Sequence, residues 1–255
     1  MQIDKSFFLV FSATILSDIQ YFFNPSMPPI RAVILDFDGV IANTIPLAMR
    51  VFRKFLWWHK HNVSEQDLFE AHFHTKSLTQ ILHHLREMYD IHMNLDDFIA
   101  HLSVIEHVAL SEETLEVDPS LLILFAYCEE KNIFLALWSN SSRARIINIL
   151  KLLQIEEYFT RNTSSLLSAD DLTSHKPDPE VWVRTATNIG VPIESCLVIE
   201  DGLPGILWAK ACGARSLYYH HFCTPDSECL RDCDLGVSDF LQVIDFIELH
   251  NNIIK

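Results

Sequence analysis

Glycine is scarce in this chain: there are six in 255 residues (Gly39, Gly190, Gly202, Gly205, Gly213 and Gly236), and neither G-x-G-x-x-G nor G-x-x-x-x-G-K-[ST] occurs. The glycine loops that cradle dinucleotide and nucleoside phosphates are therefore excluded, and any phosphate must be held by other groups. G-x-S-x-G and H-E-x-x-H are absent too, which removes the nucleophile-elbow hydrolases and the commonest zinc peptidases. Positive charge is also short. With 19 Lys and Arg against 34 Asp and Glu the net charge is −15, so the chain lacks the basic surface that displaces counterions from nucleic acid, and no nucleic-acid partner is expected. No C-x-x-C pair exists, and Cys223, Cys229 and Cys233 match no zinc spacing. Reduced thiols in a cytoplasmic protein are the expectation.

Long apolar runs are missing as well. The longest at the amino terminus, Phe7 to Leu16, is shorter than the roughly 20 residues that cross a bilayer, so no stable membrane span is expected. A signal or membrane-surface segment is an alternative for this stretch, although Asp4 offsets Lys5 and no A-x-A-like cleavage site follows. Residues 1–29 are set aside as an amino-terminal extension, ending in Met27-Pro28-Pro29 just before the first clear strand. Oligomeric state is not legible in the sequence.

What is present is a composition able to bury a core, 49% hydrophobic and 21% charged. Ala32-Val33-Ile34-Leu35 is an aliphatic run ending at Asp36, the pattern of a strand buried on both faces. From Ile45 to about Val117 the period becomes helical. Ser64 with Asp67, Ser77 with Gln80 and Asn94 with Asp97 each place a capping side chain three residues before its partner, which predicts about four helices and no strand. At Asp118-Pro119 a helix is expected to restart, with Asp as N-cap and Pro in the first turn. Strands and helices then alternate, with strands over 133–138, 196–199, 216–219 and 235–237. The expected fold class is α/β: a Rossmann-like, doubly wound parallel core of residues 30–44 and 119–255, with an all-α domain, residues 45–118, inserted into it.

In such a sheet ligands gather at the carboxyl ends of the strands. Three strand ends carry polar residues: Asp36 with Asp38, Ser139 with Asn140, and Glu200 with Asp201. His175-Lys176-Pro177-Asp178-Pro179 adds a cation just before a helix start. Acids, one lysine and small hydroxyls suit Mg²⁺ together with a phosphate, because hard oxygen ligands suit that ion and the substrate supplies further oxygens. Taken singly, a D-x-D reads as a turn with a helix cap, a lone lysine as a solvated side chain, and Ser139 or Ser141 as helix caps.

Asp36-Phe37-Asp38-Gly39-Val40-Ile41, Ser139-Asn140, Lys176-Pro177 and Glu200-Asp201-Gly202 resemble, in order and spacing, the four motifs of the haloacid dehalogenase superfamily. The likeness spans about residues 30–240 and is greatest to its β-phosphoglucomutase-like phosphatases, whose small helical cap the insert resembles. The resemblance implies that Asp36 is the nucleophile, forming an aspartyl phosphate, and that Asp38 is the general acid and base. It implies Mg²⁺ on Asp36, the backbone carbonyl of Asp38, and Asp201, with Glu200 either a ligand through water or a support of the ligands. Lys176 would bind the phosphoryl group and the nucleophile. Ser139, with Asn140 beside it, would bind phosphoryl oxygens. In the insert, the loop His72-Phe73-His74-Thr75-Lys76-Ser77 is similar to the cap segment that faces the active site in relatives, which makes His74 and Lys76 substrate-contact candidates. Thr75 stands where a glycine is common.

Two departures narrow the chemistry. Asp38 is missing from the dehalogenases of the superfamily, so its presence points to phosphoester chemistry. Phosphomutases of the nearest branch carry a histidine twelve residues after the nucleophile, where this chain has Ala48. The expected activity is Mg²⁺-dependent hydrolysis of a small phosphorylated metabolite, such as a sugar phosphate or a phosphoglycolate-like compound. Sugar-phosphate mutase activity is the alternative, and a non-catalytic binding protein a third. Asn43 replaces an aspartate common in this branch. Nine of the thirteen histidines fall in the insert, without the spacing of a tetrahedral site, and read as solvated helix faces.

Overall fold

The computed structural model describes residues 28–71, 73, 77–112, 115–161, 165–171 and 180–253. Expectations attached to residues 1–27, to His72, His74, Thr75 and Lys76, and to 175–179, including Lys176, lie outside the described residues.

Among the described residues six strands form one sheet: β1 (Ala32–Asp36), β2 (Phe134–Trp138), β3 (Leu166–Leu167), β4 (Cys196–Glu200), β5 (Arg215–Tyr219) and β6 (Leu235–Val237). Every pairing is parallel, in the order β3-β2-β1-β4-β5-β6. The doubly wound α/β core expected from the sequence is what forms. Its centre is buried on both faces, as the unbroken aliphatic run of β1 requires. Val33 and Leu35 pack into one core cluster, Ala32 and Ile34 into a second.

Among the described residues four α-helices follow β1: α1 (Ile45–Trp58), α2 (Glu65–Glu70), α3 (Leu78–Tyr89) and α4 (Leu95–Glu112). Ser64 with Asp67 and Ser77 with Gln80 form complete capping boxes, and the Asn94 side chain accepts the Asp97 N–H at 2.8 Å. Phe55 of α1 meets Phe98 of α4 edge to face, ring centroids 5.1 Å apart. This bundle joins the sheet through two linkers that clasp each other. Asn43 donates its backbone N–H to the Glu116 carbonyl at 2.9 Å and its side-chain amide to the Glu116 carboxylate at 3.0 Å. An aspartate at position 43 would face that carboxylate with like charge, so Asn43 and Glu116 suit each other.

The remaining helices are α5 (Leu121–Lys131), α6 (Arg143–Leu152), α7 (Glu157–Thr160), α8 (Glu180–Asn188), α9 (Leu203–Ala211), α10 (Ser227–Asp232) and α11 (Phe240–Ile253). The restart after the insert departs from the sequence reading. The helix begins at Leu121 rather than Pro119, with Ser120 in the capping position. The Asp118 carboxylate instead accepts the N–H and hydroxyl of Ser120 at 2.8 and 2.7 Å, the Tyr219 hydroxyl at 2.7 Å and the Phe240 N–H at 3.3 Å. Burial opposes its charge, yet these donors, with His221 nearby, hold its pKa below the usual carboxylate value. The two-residue strand β3 carries too little pattern to be seen in the sequence.

Candidate active site

The strand order reverses between β1 and β4, the switch point at which a crevice opens in a doubly wound sheet. Leu35 stands opposite Ile199, so the next residues, Asp36 and Glu200, emerge side by side. With Asp201 they form a cluster whose carboxylate oxygens lie within 4.8 Å of one another. At that separation and an effective dielectric of about 20, each charged pair costs about 3.5 kcal/mol. Two glycines make the crowding possible. A Cβ on Gly39, whose φ is +85°, would sit 2.0 Å from the Asp201 carboxylate, and one on Gly205 would sit 1.9 Å from that of Glu200. Glu200 is also held by the Gly202 N–H at 2.8 Å. An all-oxygen donor set of this charge fits a hard divalent cation. Among the described residues it is the one group of three His, Cys, Asp or Glu side chains close enough to share an ion. The cysteines are all free thiols, and burial pushes Cys229 up to about 12.

Asp38 lies two residues past the strand, on a loop closed by bonds from Gly39 N–H to the Ala42 carbonyl and from Ile41 N–H to the Phe37 carbonyl. Its carboxylate is surrounded by donors. Oδ1 accepts the Thr44 hydroxyl at 2.6 Å and Nη1 of Arg145 at 2.8 Å. Oδ2 accepts the hydroxyls of Ser141 at 3.0 Å and Ser139 at 3.3 Å. Burial works against the charge, but Arg145 and the hydroxyls outweigh it and hold the pKa below the usual value.

Five residues singled out from the sequence thus meet at one sheet edge: Asp36, Asp38, Ser139, Glu200 and Asp201. Asn140 is exposed on the loop just after Ser139. Lys176, His74 and Lys76 lie outside the described residues. Ser141 is a corrected reading, since Ser142, not Ser141, caps α6. Three residues of the site escaped the sequence reading. Thr44 and Arg145 bond Asp38 directly, and Glu106 of α4 bonds Arg145. Thr44 stands at the start of α1 and Arg145 in the first turn of α6, and neither carries a local signal of its contact with Asp38.

The family model described as haloacid dehalogenase-like hydrolase matches residues 33–218. Over 201 residues the chain is 25% identical to a phosphorylated carbohydrates phosphatase of Thermotoga maritima, covering 74% of this chain and 84% of that one. It is 29% identical over 110 residues to hexitol phosphatase B of Escherichia coli, covering 43% of this chain and 48% of that one, about half the relative's length. The fold is similar to the crystal structure of β-phosphoglucomutase from Clostridium difficile, with TM-score 0.70 and 21% identity over 88% of this chain and 97% of that one.

Proposed function

The chain belongs to the haloacid dehalogenase-like hydrolases, and from that membership we propose that it is a phosphomonoesterase acting on a small phosphorylated sugar or polyol through an aspartyl phosphate on Asp36. The observation that carries this reading is the pairing at the switch point: a tight Asp36, Glu200 and Asp201 cluster and a fourth carboxylate, Asp38, that accepts four hydrogen bonds. The named activities of the two curated relatives support the substrate class. Ala48, which has no side chain to donate or accept a proton, favours hydrolysis over mutase transfer.

Asp36 attacks phosphorus, its oxygen forming the new bond as the ester bond breaks, which divides one difficult hydrolysis into two easier steps. Asp38 gives a proton to the departing oxygen and then takes one from the water that cleaves the acyl phosphate. Asp36, the Asp38 backbone carbonyl and Asp201 would hold Mg²⁺, with Glu200 beside them; when bound, the ion offsets the charge of the phosphoryl oxygens. Ser139 donates to phosphoryl oxygens, Lys176 pairs with the same group, and Asn140 flanks them. His74 and Lys76 meet the leaving group from the helical insert, which acts as a cap over the crevice. Free thiols throughout support a reducing, cytoplasmic setting.

The test is phosphate release from a panel of phosphorylated sugars, polyols and phosphoglycolate with Mg²⁺, Asp36→Asn serving as blank. Turnover of at least one ester is expected in the wild type, falling by about three orders of magnitude or more in the variant. Equal release by both proteins would refute the proposal. Isomerised sugar phosphate without free phosphate would instead identify a mutase.

A further inference from the structure

Arg145 stands between two parts of the fold. It lies in the first turn of α6, six residues after Ser139, with its side chain only 20% exposed. Nη1 donates to Oδ1 of Asp38 at 2.8 Å and to the Ser141 hydroxyl at 2.7 Å, while Nε donates to Glu106 at 2.8 Å. Glu106 belongs to α4 of the helical insert and is itself only 16% exposed. One guanidinium thus links the insert to the carboxylate beside the nucleophile. Burial weakens a lone cation, but the two carboxylates more than compensate and raise its pKa, so Arg145 stays charged.

The four donors on Asp38 are not equivalent. A hydroxyl can turn and become an acceptor; a guanidinium N–H can only donate. A proton on Oδ1 would therefore confront Nη1–H, whereas a proton on Oδ2 meets only the Ser139 and Ser141 hydroxyls, either of which can reverse. Ser139 is also the phosphoryl-binding residue proposed above, which puts Oδ2 on the reacting side.

We propose that Arg145 is a positioning residue: anchored by Glu106 of the insert, it keeps Oδ1 of Asp38 as an acceptor and leaves Oδ2 as the oxygen that carries the proton toward the leaving group. The inference rests on the reading of Asp38 as general acid. In the first half-reaction the Oδ2–H bond breaks and the proton passes to the ester oxygen as its bond to phosphorus breaks and the Asp36 oxygen bonds phosphorus. In the second, water oxygen bonds phosphorus, the Asp36 bond to phosphorus breaks, and the water proton returns to Oδ2. When the insert is seated Glu106 holds Arg145, so seating and proton delivery are coupled.

The test uses leaving groups of different basicity on the full chain with Mg²⁺. p-Nitrophenyl phosphate releases a phenolate that needs no proton; glycerol 2-phosphate releases an alkoxide that does. Arg145→Ala is expected to lose about tenfold more kcat/KM, which reports phosphoryl transfer to Asp36 ahead of the shared hydrolysis step, on glycerol 2-phosphate than on p-nitrophenyl phosphate. Glu106→Gln is expected to lose in the same direction by a smaller factor. Arg145→Lys, which keeps a donating cation, should fall between Arg145→Ala and the wild type and serves if the alanine variant does not fold. Equal losses of kcat/KM on both esters would mark Arg145 as merely structural and overturn the inference. A Glu106→Gln variant with wild-type rates on both would overturn the coupling to the insert. Asp38→Ala separates the two readings. If it too lost kcat/KM equally on both esters, the general-acid role itself would fall; a selective loss there without one in Arg145→Ala would sink only the present inference.

Discussion

At Gly205 the tolerance for a single methyl group is set by the Glu200 carboxylate, 1.9 Å from where a Cβ would stand. Nothing in the backbone of α9 demands glycine there, so the residue exists to make room for the acid. Gly205→Ala should push Glu200 out of the cluster and raise the Mg²⁺ concentration for half-maximal activity by about tenfold or more. Gly202 makes a useful contrast, because its Cβ would meet the same carboxylate at an ordinary 3.5 Å, and Gly202→Ala should shift that concentration far less. Titrating phosphatase activity against Mg²⁺ checks both; equal shifts would show that the methyl group acts through the helix rather than through Glu200. At this scale the sequence reading reached the acids and Ser139, since motif residues announce themselves by type and order. It did not reach Arg145, whose partners lie 107 and 39 residues away and are neighbours only after folding.

At the scale of elements, the second linker and the start of α5 hang on Asp118. Its native pKa lies below the usual value, so its contribution to stability is complete above about pH 4 and is lost as pH falls through the native pKa. Asp118→Asn should cost about 1–3 kcal/mol at pH 7, because donors to a charged acceptor lose their strongest partner. The variant should also lose less stability than the wild type between pH 7 and pH 3. Urea unfolding at both pH values measures this, and parallel losses in the two proteins would refute it. Asp-Pro is a good helix-start signature, yet here the start lies two residues later. The carboxylate is shared: Oδ2 accepts from Tyr219 and Phe240, Oδ1 accepts the Ser120 N–H and hydroxyl, and Ser120 stands in the capping position. The capping boxes at Ser64 and Ser77 were legible because both halves of each lie within one turn.

For the molecule as a whole, a chain of net charge −15 gathers three carboxylates at its switch point, and a bound divalent cation should relieve that repulsion in the native state alone. At a Mg²⁺ concentration about 100 times Kd the stabilisation is about 2.7 kcal/mol, a rise of about 5–10 °C in Tm for a chain of this size. Asp201→Asn, assayed at matched ionic strength, should show little of that rise. A full shift in the variant would mean that Mg²⁺ acts on the acidic surface at large.

By itself the sequence determined the doubly wound fold, the helical stretch after β1, and the acids at the strand ends, because each is written in local period, capping chemistry or motif order. The tertiary structure decided which of those acids share a site, and that Asp38 faces three hydroxyls and a cation. It also decided that Glu106, far from any motif, reaches the site through Arg145. Those outcomes depend on which strands become neighbours and on how the insert seats against α6, and proximity of that kind is a property of the packed chain rather than of any segment of it.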